Sequence, residues 1–245
     1  MEPDHVLELE RRRRELAEAR EQLARAHDHL SLFAGQVSHD LRTPLTAILA
    51  NAEMLTGEKA VTEDDDLAWM VAGISRAAHR MNEMIEQLLV YAGEGGRPSL
   101  SDTALDEVFA LAVEDLAPLV AEKGAEVRVG PLPSLRADAG QMYAVARNLL
   151  ANAIDFGRPG TPPRVEVAAD RLDGRWRVEV TDNGVGVAPD QRETMFVLFA
   201  RADKRSGGSG IGLAAAKRIV EAHGGRIGLD AAPGGGTTVW FDLPA

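Results

Sequence analysis

Residues Ser38-His39-Asp40-Leu41-Arg42-Thr43-Pro44-Leu45-Thr46 put an imidazole, a carboxylate and a hydroxyl on a short stretch of helical sequence. An imidazole can act as a nucleophile once one ring nitrogen is freed of its proton. If Asp40 accepts the Nδ1 proton of His39, Nε2 keeps the lone pair. Neighbouring residues on a helix do not face each other, so that contact needs a suitable rotamer. Thr43, four residues after His39, shares its face. Pro44 removes a backbone donor and predicts a bend just beyond the histidine.

Three other segments carry groups suited to an anionic ligand. In Asn148-Leu-Leu-Ala-Asn152-Ala-Ile-Asp155-Phe156, helical spacing puts Asn148, Asn152 and Asp155 on one side. Asparagine carbonyls are hard oxygen ligands that suit Mg²⁺. Asp182-Asn-Gly184-Val-Gly186 follows a predicted strand; a carboxylate there can accept from a base amine, and the glycines let a ring approach the backbone. Gly207-Gly208-Ser209-Gly210-Ile211-Gly212-Leu213 opens a predicted helix, whose free N–H groups favour phosphate. Each segment taken singly is commonplace; their order is not.

The front of the chain is written for helices. Leu9, Leu16, Leu23 and Leu30 recur every seven residues, Val37 continues the series, and Ala19, Ala26 and Phe33 mark a second seam position. This predicts a coiled coil over 1–30, in which the Arg11–Arg14 run is one solvated face among glutamates. Leu67, Ile74, Met81 and Leu88 repeat the heptad, interleaved with Met70, Ala77, Met84 and Tyr91, and Thr62 to Asp66 read as an N-cap with an acidic first turn. Two such helices with a turn from Gly57 form a hairpin whose seam is only half covered. Pairing two chains into a four-helix bundle covers the rest. The expected domains are a coiled coil over 1–30, a helical hairpin over 31–93, a linker over 94–103 and an α/β unit over 104–245.

In the last unit the pattern predicts helices at 104–123, 138–156, 190–198 and 211–223. Strands are predicted near 126–130, 164–170, 175–181, 226–230 and 237–242, with a hairpin turn at Asp173-Gly174. That is a two-layer α/β sandwich. Of the remaining histidines, His79 is expected to face solvent and His223 to sit as a cation at a helix end, while His5, His27 and His29 belong to the coiled-coil surface.

The composition removes several classes of function. A net charge of −11 lacks the basic surface of a nucleic-acid binder, and the absence of cysteine excludes disulfides and thiolate metal sites. No apolar run approaches the roughly 20 residues of a membrane span, and the start of the chain lacks an apolar signal stretch, so the expected location is cytoplasmic.

The stretch around His39 resembles the phosphoacceptor box of two-component sensor histidine kinases. The back half resembles that family's catalytic ATP-binding domain, of the GHKL ATPase superfamily shared with gyrase and MutL. The N box matches 148–156, the G1 box 182–186, the F box Phe196 to Phe199, and the G2 box 208–212. The resemblance covers residues 31 to 245. It implies ATP-dependent autophosphorylation of His39, with Asp40 assisting, then transfer to an aspartate on a response regulator receiver domain. Thr43 would orient a water for phosphatase action on that regulator. Asp182 would read the adenine amine, Asn152 would bind Mg²⁺ and Asn148 would assist. Gly184 and Gly186 would line the base, Gly208, Gly210, Gly212 and Leu213 would border the triphosphate, and Arg201, Lys204 and Arg205 would sit in a lid over 200–209 anchored by Phe196 and Phe199. The implied partners are a second copy of the chain and the regulator, with no nucleic acid and no membrane span in this chain.

Position 155 is commonly basic in that family and is Asp155 here. The carboxylate is expected near the metal and phosphates, either helping the metal through water or repelling ATP unless Arg158 or the lid cations offset it. No sensor domain precedes residue 31, which reads as a sensorless kinase or a kinase core. Two other readings stand beside the kinase: a non-catalytic dimeric ATP-binding scaffold, and a serine-directed kinase of the anti-sigma type.

Overall fold

The computed structural model describes residues 12, 13, 21, 38, 40–92, 98–200 and 210–245. His39, most of the predicted coiled coil and residues 201–209 lie outside the described residues. The chain divides into two compact units, Met1–Glu94 and Gly95–Ala245.

In the first unit, α1 (residues 40–56) runs unbroken through Pro44, followed by the one-turn α2 (Lys59–Thr62) and the long α3 (Asp65–Ala92). Leu45, Ala78 and Ile85 are buried together, with Leu49 packed on them, and Ala52, Val61 and Val71 are also buried. These positions recur at helical spacing, which is why the two long helices meet along them. A second stripe is uncovered: Leu41, Ile48 and Leu55 on α1, and Leu67, Met70, Ile74, Met81 and Met84 on α3. The start of α3 differs from the expected cap. Asp64, not Thr62, accepts the free amides, its Oδ1 taking the N–H of Asp66 and of Leu67 at 3.0 Å each. Thr62 instead ends α2, its hydroxyl turned to the Lys59 carbonyl.

The second unit contains β1 (Ser101–Ala104), α4 (Leu105–Asp115), α5 (Ala117–Lys123), β2 (Glu126–Val129), β3 (Ser134–Ala137) and α6 (Ala139–Asp155). It continues with β4 (Arg164–Leu172), β5 (Arg175–Asp182), a short turn of 3₁₀ helix (Thr194–Phe196), α7 (Gly212–Ala222), β6 (Arg226–Ala231) and β7 (Thr237–Pro244). The main sheet has the order β2-β4-β5-β7-β6, parallel only between β2 and β4; β1 and β3 form a separate antiparallel pair. Alternation on β4 and β5 sends Val165, Val167, Val178 and Val180 into the core, joined by Val239, Phe241 and Leu243 of β7. Facing them are Phe109 of α4, Met142, Leu149 and Leu150 of α6, and Ile219 and Val220 of α7. Helices on one side of a mixed sheet give the two-layer sandwich that the pattern predicts. Asp173 and Gly174 both take positive φ (49° and 75°), the left-handed pair of a tight hairpin turn.

Three departures have local causes. The single helix expected over 104–123 is two, because Pro118 in the first turn of α5 has no N–H to offer the preceding turn. Strand β1 occupies the end of the segment read as a linker, and four residues carry too little periodicity to announce it. His223 ends α7 as expected, but it is buried. Its Nδ1 meets the Ile219 carbonyl at 2.8 Å, and its Nε2 accepts the Asp138 N–H at 3.0 Å. The ring therefore pins the end of α7 to the start of α6.

Candidate functional site

Helix α6 begins at Asp138, whose side chain caps it by accepting the Gln141 N–H at 3.0 Å. Its leucines fill the core, and Asn148, at 7% exposure, is nearly as buried as they are. An amide is tolerated there because α7 starts beside it: a Cβ on Gly212 would lie 3.3 Å from Asn148 Oδ1. Asn152, one turn further, is half-buried. Gly212 thus brings the N-terminus of α7 against Asn148. Leu213 follows in the first turn of α7, half-buried.

Gly210 has φ 69°, and a Cβ on it would strike the Ala200 carbonyl oxygen and the Phe199 backbone, both at 2.8 Å. Its carbonyl accepts the Phe199 N–H at 2.8 Å. This bond draws together the two ends of the segment 201–209, which holds Arg201, Lys204 and Gly208 outside the described residues. Phe199 itself takes φ 64°, uncommon for a bulky residue. Phe196 lies against Lys217 of α7, whose Nζ is 5.8 Å from the ring centroid.

Asp182 ends β5. Its Oδ1 accepts two backbone amides, Gly184 N–H at 2.7 Å and Thr237 N–H at 3.1 Å. Among the described residues no hydrogen bond reaches Oδ2, which leaves an oriented acceptor for an exocyclic amine. Burial pushes the Asp182 carboxyl above the ordinary carboxylate range, more than the two amides and the Arg158 guanidinium pull it down. Gly184 has no alternative, since a side chain would collide with the Phe156 carbonyl. Gly186, at φ 78°, lies against the Gly236 backbone, where a Cβ would come within 3.3 Å of the carbonyl oxygen. The loop is thus sandwiched between the end of α6 and the Gly234-Gly235-Gly236 turn.

The structure thus sets Gly212 against Asn148, Gly184 against Asp182, Gly186 against Gly236 and Gly210 against Phe199. Two residues stand beside Asp182 that the sequence reading did not connect with it: Thr237, which it did not name, and Arg158, which it named only as a possible offset to Asp155. A run of three glycines before a strand was a signal for the first. The second lies outside the recognised boxes. Asp155, its side chain half-exposed, has Lys123 of α5 3.9 Å away. Lys123 is a cation beside it among the described residues. Asp40 and Thr43 lie exposed on α1, in the first unit. Among the described residues no group of three or more His, Cys, Asp or Glu side chains is arranged to hold a metal.

Fold and site together define a histidine kinase core: a helical acceptor unit followed by an ATPase-type sandwich. Residues 29–93 match the His Kinase A (phospho-acceptor) domain, and residues 137–245 match the Histidine kinase-, DNA gyrase B-, and HSP90-like ATPase family. The chain belongs to the histidine kinases. It is 34% identical over 241 residues to the phytochrome-like protein Cph1 of Synechocystis, covering 96% of this chain and 32% of that one. It is 30% identical over 222 residues to the sensor-like histidine kinase SenX3 of Mycobacterium tuberculosis, covering 87% of this chain and 53% of that one. Among solved structures, full-length ShkA in complex with AMPPNP superposes with a TM-score of 0.70 at 30% identity, over 88% of this chain and 46% of that one. The chain spans between a quarter and a third of the length of the first four curated relatives it matches.

Proposed function

We propose that the chain phosphorylates its own His39 from ATP and passes the phosphoryl group to an aspartate of a response regulator receiver domain. The observation that carries this reading is the Asp182 carboxylate, fixed by two backbone amides with one oxygen left for a base. ATP would lie with its adenine amine on Asp182, its ring against Gly184 and Gly186, and its phosphates towards Gly210, Gly212 and the first turn of α7. Gly208, Arg201 and Lys204 would complete the phosphate end. The γ-phosphoryl leaves ADP as His39 Nε2 forms the N–P bond, and Asp40 takes the Nδ1 proton.

The amide oxygens of Asn152 and Asn148 fit Mg²⁺, a hard cation that keeps several waters and needs few protein ligands. That ion would supply charge neutralisation at the phosphates. Thr43, exposed on α1, suits a water-orienting role in dephosphorylation of the regulator. The uncovered stripe on α1 and α3 suits a homodimer. Use of ATP places the unit on the cytoplasmic side, and no helix among the described residues is long and apolar enough to cross a membrane.

Incubation with γ-labelled ATP tests the reading. Label should enter the chain, be lost in acid and survive base, and His39→Gln should take up none while keeping ATP affinity within about twofold. Acid-stable label would indicate a serine kinase, and failure to bind ATP would leave a scaffold.

A further inference from the structure

Arg158 stands just past α6 in a turn held by its own carbonyl, which accepts the Thr161 N–H at 3.1 Å. Its Nε–H donates to the Gly184 carbonyl at 2.9 Å. The far side of its guanidinium lies over Gly235, where an added Cβ would push Nη2 aside. Gly235 also takes φ 95°, which by itself favours glycine there. Gly236 next to it, at φ 108°, has no room for a Cβ against the Asp182 carbonyl.

These contacts meet at one carboxylate. Gly184 supplies the first amide to Asp182 Oδ1, and the glycine turn delivers the second, from Thr237. Arg158 touches both the loop and the turn. An arginine fork suits this work, since it can bond with one edge while its plane rests on a backbone, which a lysine cannot do.

We propose that Arg158 is a positioning residue for the nucleotide base, clamping the Gly184 loop to the Gly235 turn so that Asp182 faces the exocyclic amine in a fixed direction. This rests on the reading of Asp182 given above. The clamp also has an electrostatic side. Arg158 is the charged group that acts on Asp182 against the effect of burial. Among the described residues, Arg158 is the one charged group seen to act on it. Arg164 of β4 gives its backbone amide to Asn183 and its guanidinium lies 3.7 Å from Glu126. β7 contributes Thr237 and Thr238, and the end of α6 carries Asn148, Asn152 and Asp155, the last beside Lys123. Removing a cation raises the pKa of a nearby carboxyl. Without Arg158, therefore, the acceptor is protonated and base binding is lost at a higher pH.

Calorimetric titration of ATP into the full chain, from about pH 5 to pH 8, tests this with Arg158→Ala and Arg158→Lys. Arg158→Ala should bind about tenfold more weakly near neutrality, as for one lost bond in a charged site, with its acid fall-off displaced to higher pH. Arg158→Lys should keep the wild-type fall-off while recovering only part of the affinity. An alanine variant within twofold of wild type overturns the proposal. Weaker binding with an unmoved fall-off overturns it as well, because packing alone would then explain the loss. Should the alanine variant not fold, Arg158→Gln carries the same comparison. Wild-type protein that binds no ATP at any pH would reject the reading of Asp182, and the clamp with it.

Discussion

Asp182 shows how much one side chain does here and how little of it is written in its own letter. The sequence places a carboxylate at a strand end before Gly184 and Gly186, and this much was legible. The two amides that aim it were not, because a backbone N–H has no residue type; Thr237 becomes a partner only through the left-handed glycines that turn it inward. Replacing Asp182 with Asn removes an oriented acceptor from a half-buried site, and the expected loss of ATP affinity is about 1.5–3 kcal/mol. Calorimetry at neutral pH reads this directly, and unchanged affinity would take Asp182 out of the base pocket. A folded-state carboxyl above its ordinary value binds its proton more tightly than the unfolded chain does. Its ionisation therefore costs the fold stability as pH rises through the raised value, and Asp182→Asn should be no less stable than wild type at neutral pH. A denaturant midpoint well below that of wild type would show Asp182 to be a fold residue first.

Two other carboxylates behave in the opposite way, and they act at the scale of elements. Asp138 joins three segments: Oδ1 caps α6, Oδ2 accepts the Ser99 N–H at 3.0 Å, and its own N–H meets His223 at the end of α7. Burial alone would raise its carboxyl, but the Gln141 and Ser99 amides outweigh it and hold it below the usual range. Asp242, its side chain 3% exposed, is treated likewise by Arg226 and Arg175, at 2.8 and 2.9 Å. Each thus contributes stability above its unfolded pKa, lost as pH falls through the depressed folded value. Asp138→Ala should cost about 1 kcal/mol as a lost cap, and its deficit against wild type should shrink in acid. Chemical denaturation at neutral and acid pH measures both, and a deficit that stays constant would contradict the lowered carboxyl.

At this scale the long, periodic elements were readable, and so was the Asp173-Gly174 turn, whose residues tolerate left-handed φ. The break between α4 and α5, the short β1 and β3, and the cap at Asp64 were not, since each turns on one or two residues with competing neighbours. For His223, position gave the helix end, and only the partner on α6 reveals its bonded ring. For Asp155, helical spacing gave a direction but not Lys123, a neighbour distant in sequence.

For the whole molecule, the exposed stripe on α1 and α3 is the largest unmet demand in the first unit. Ile74, at 50% exposure, lies near its middle, between Leu67 and Met81. A two-fold dimer would bury each such side chain twice over, once from each copy. Fully burying an isoleucine is worth about 1.5–3 kcal/mol. Half of Ile74 is already covered, so the pair contributes about 1.5–3 kcal/mol, roughly ten- to a hundredfold in the dimer dissociation constant. An aspartate there loses that burial and adds two like charges to the seam. Ile74→Asp should therefore sediment as a monomer at concentrations where the wild-type chain is a dimer. Its ATP affinity should be unchanged, because Asp182, Asn148 and Gly212 all lie in the other unit. Sedimentation equilibrium over a concentration series, run beside the ATP titration, separates the two effects. A variant that dimerises like wild type would move the interface elsewhere. One that loses both dimer and nucleotide would mean that the two units depend on each other in a way their separate cores do not foretell.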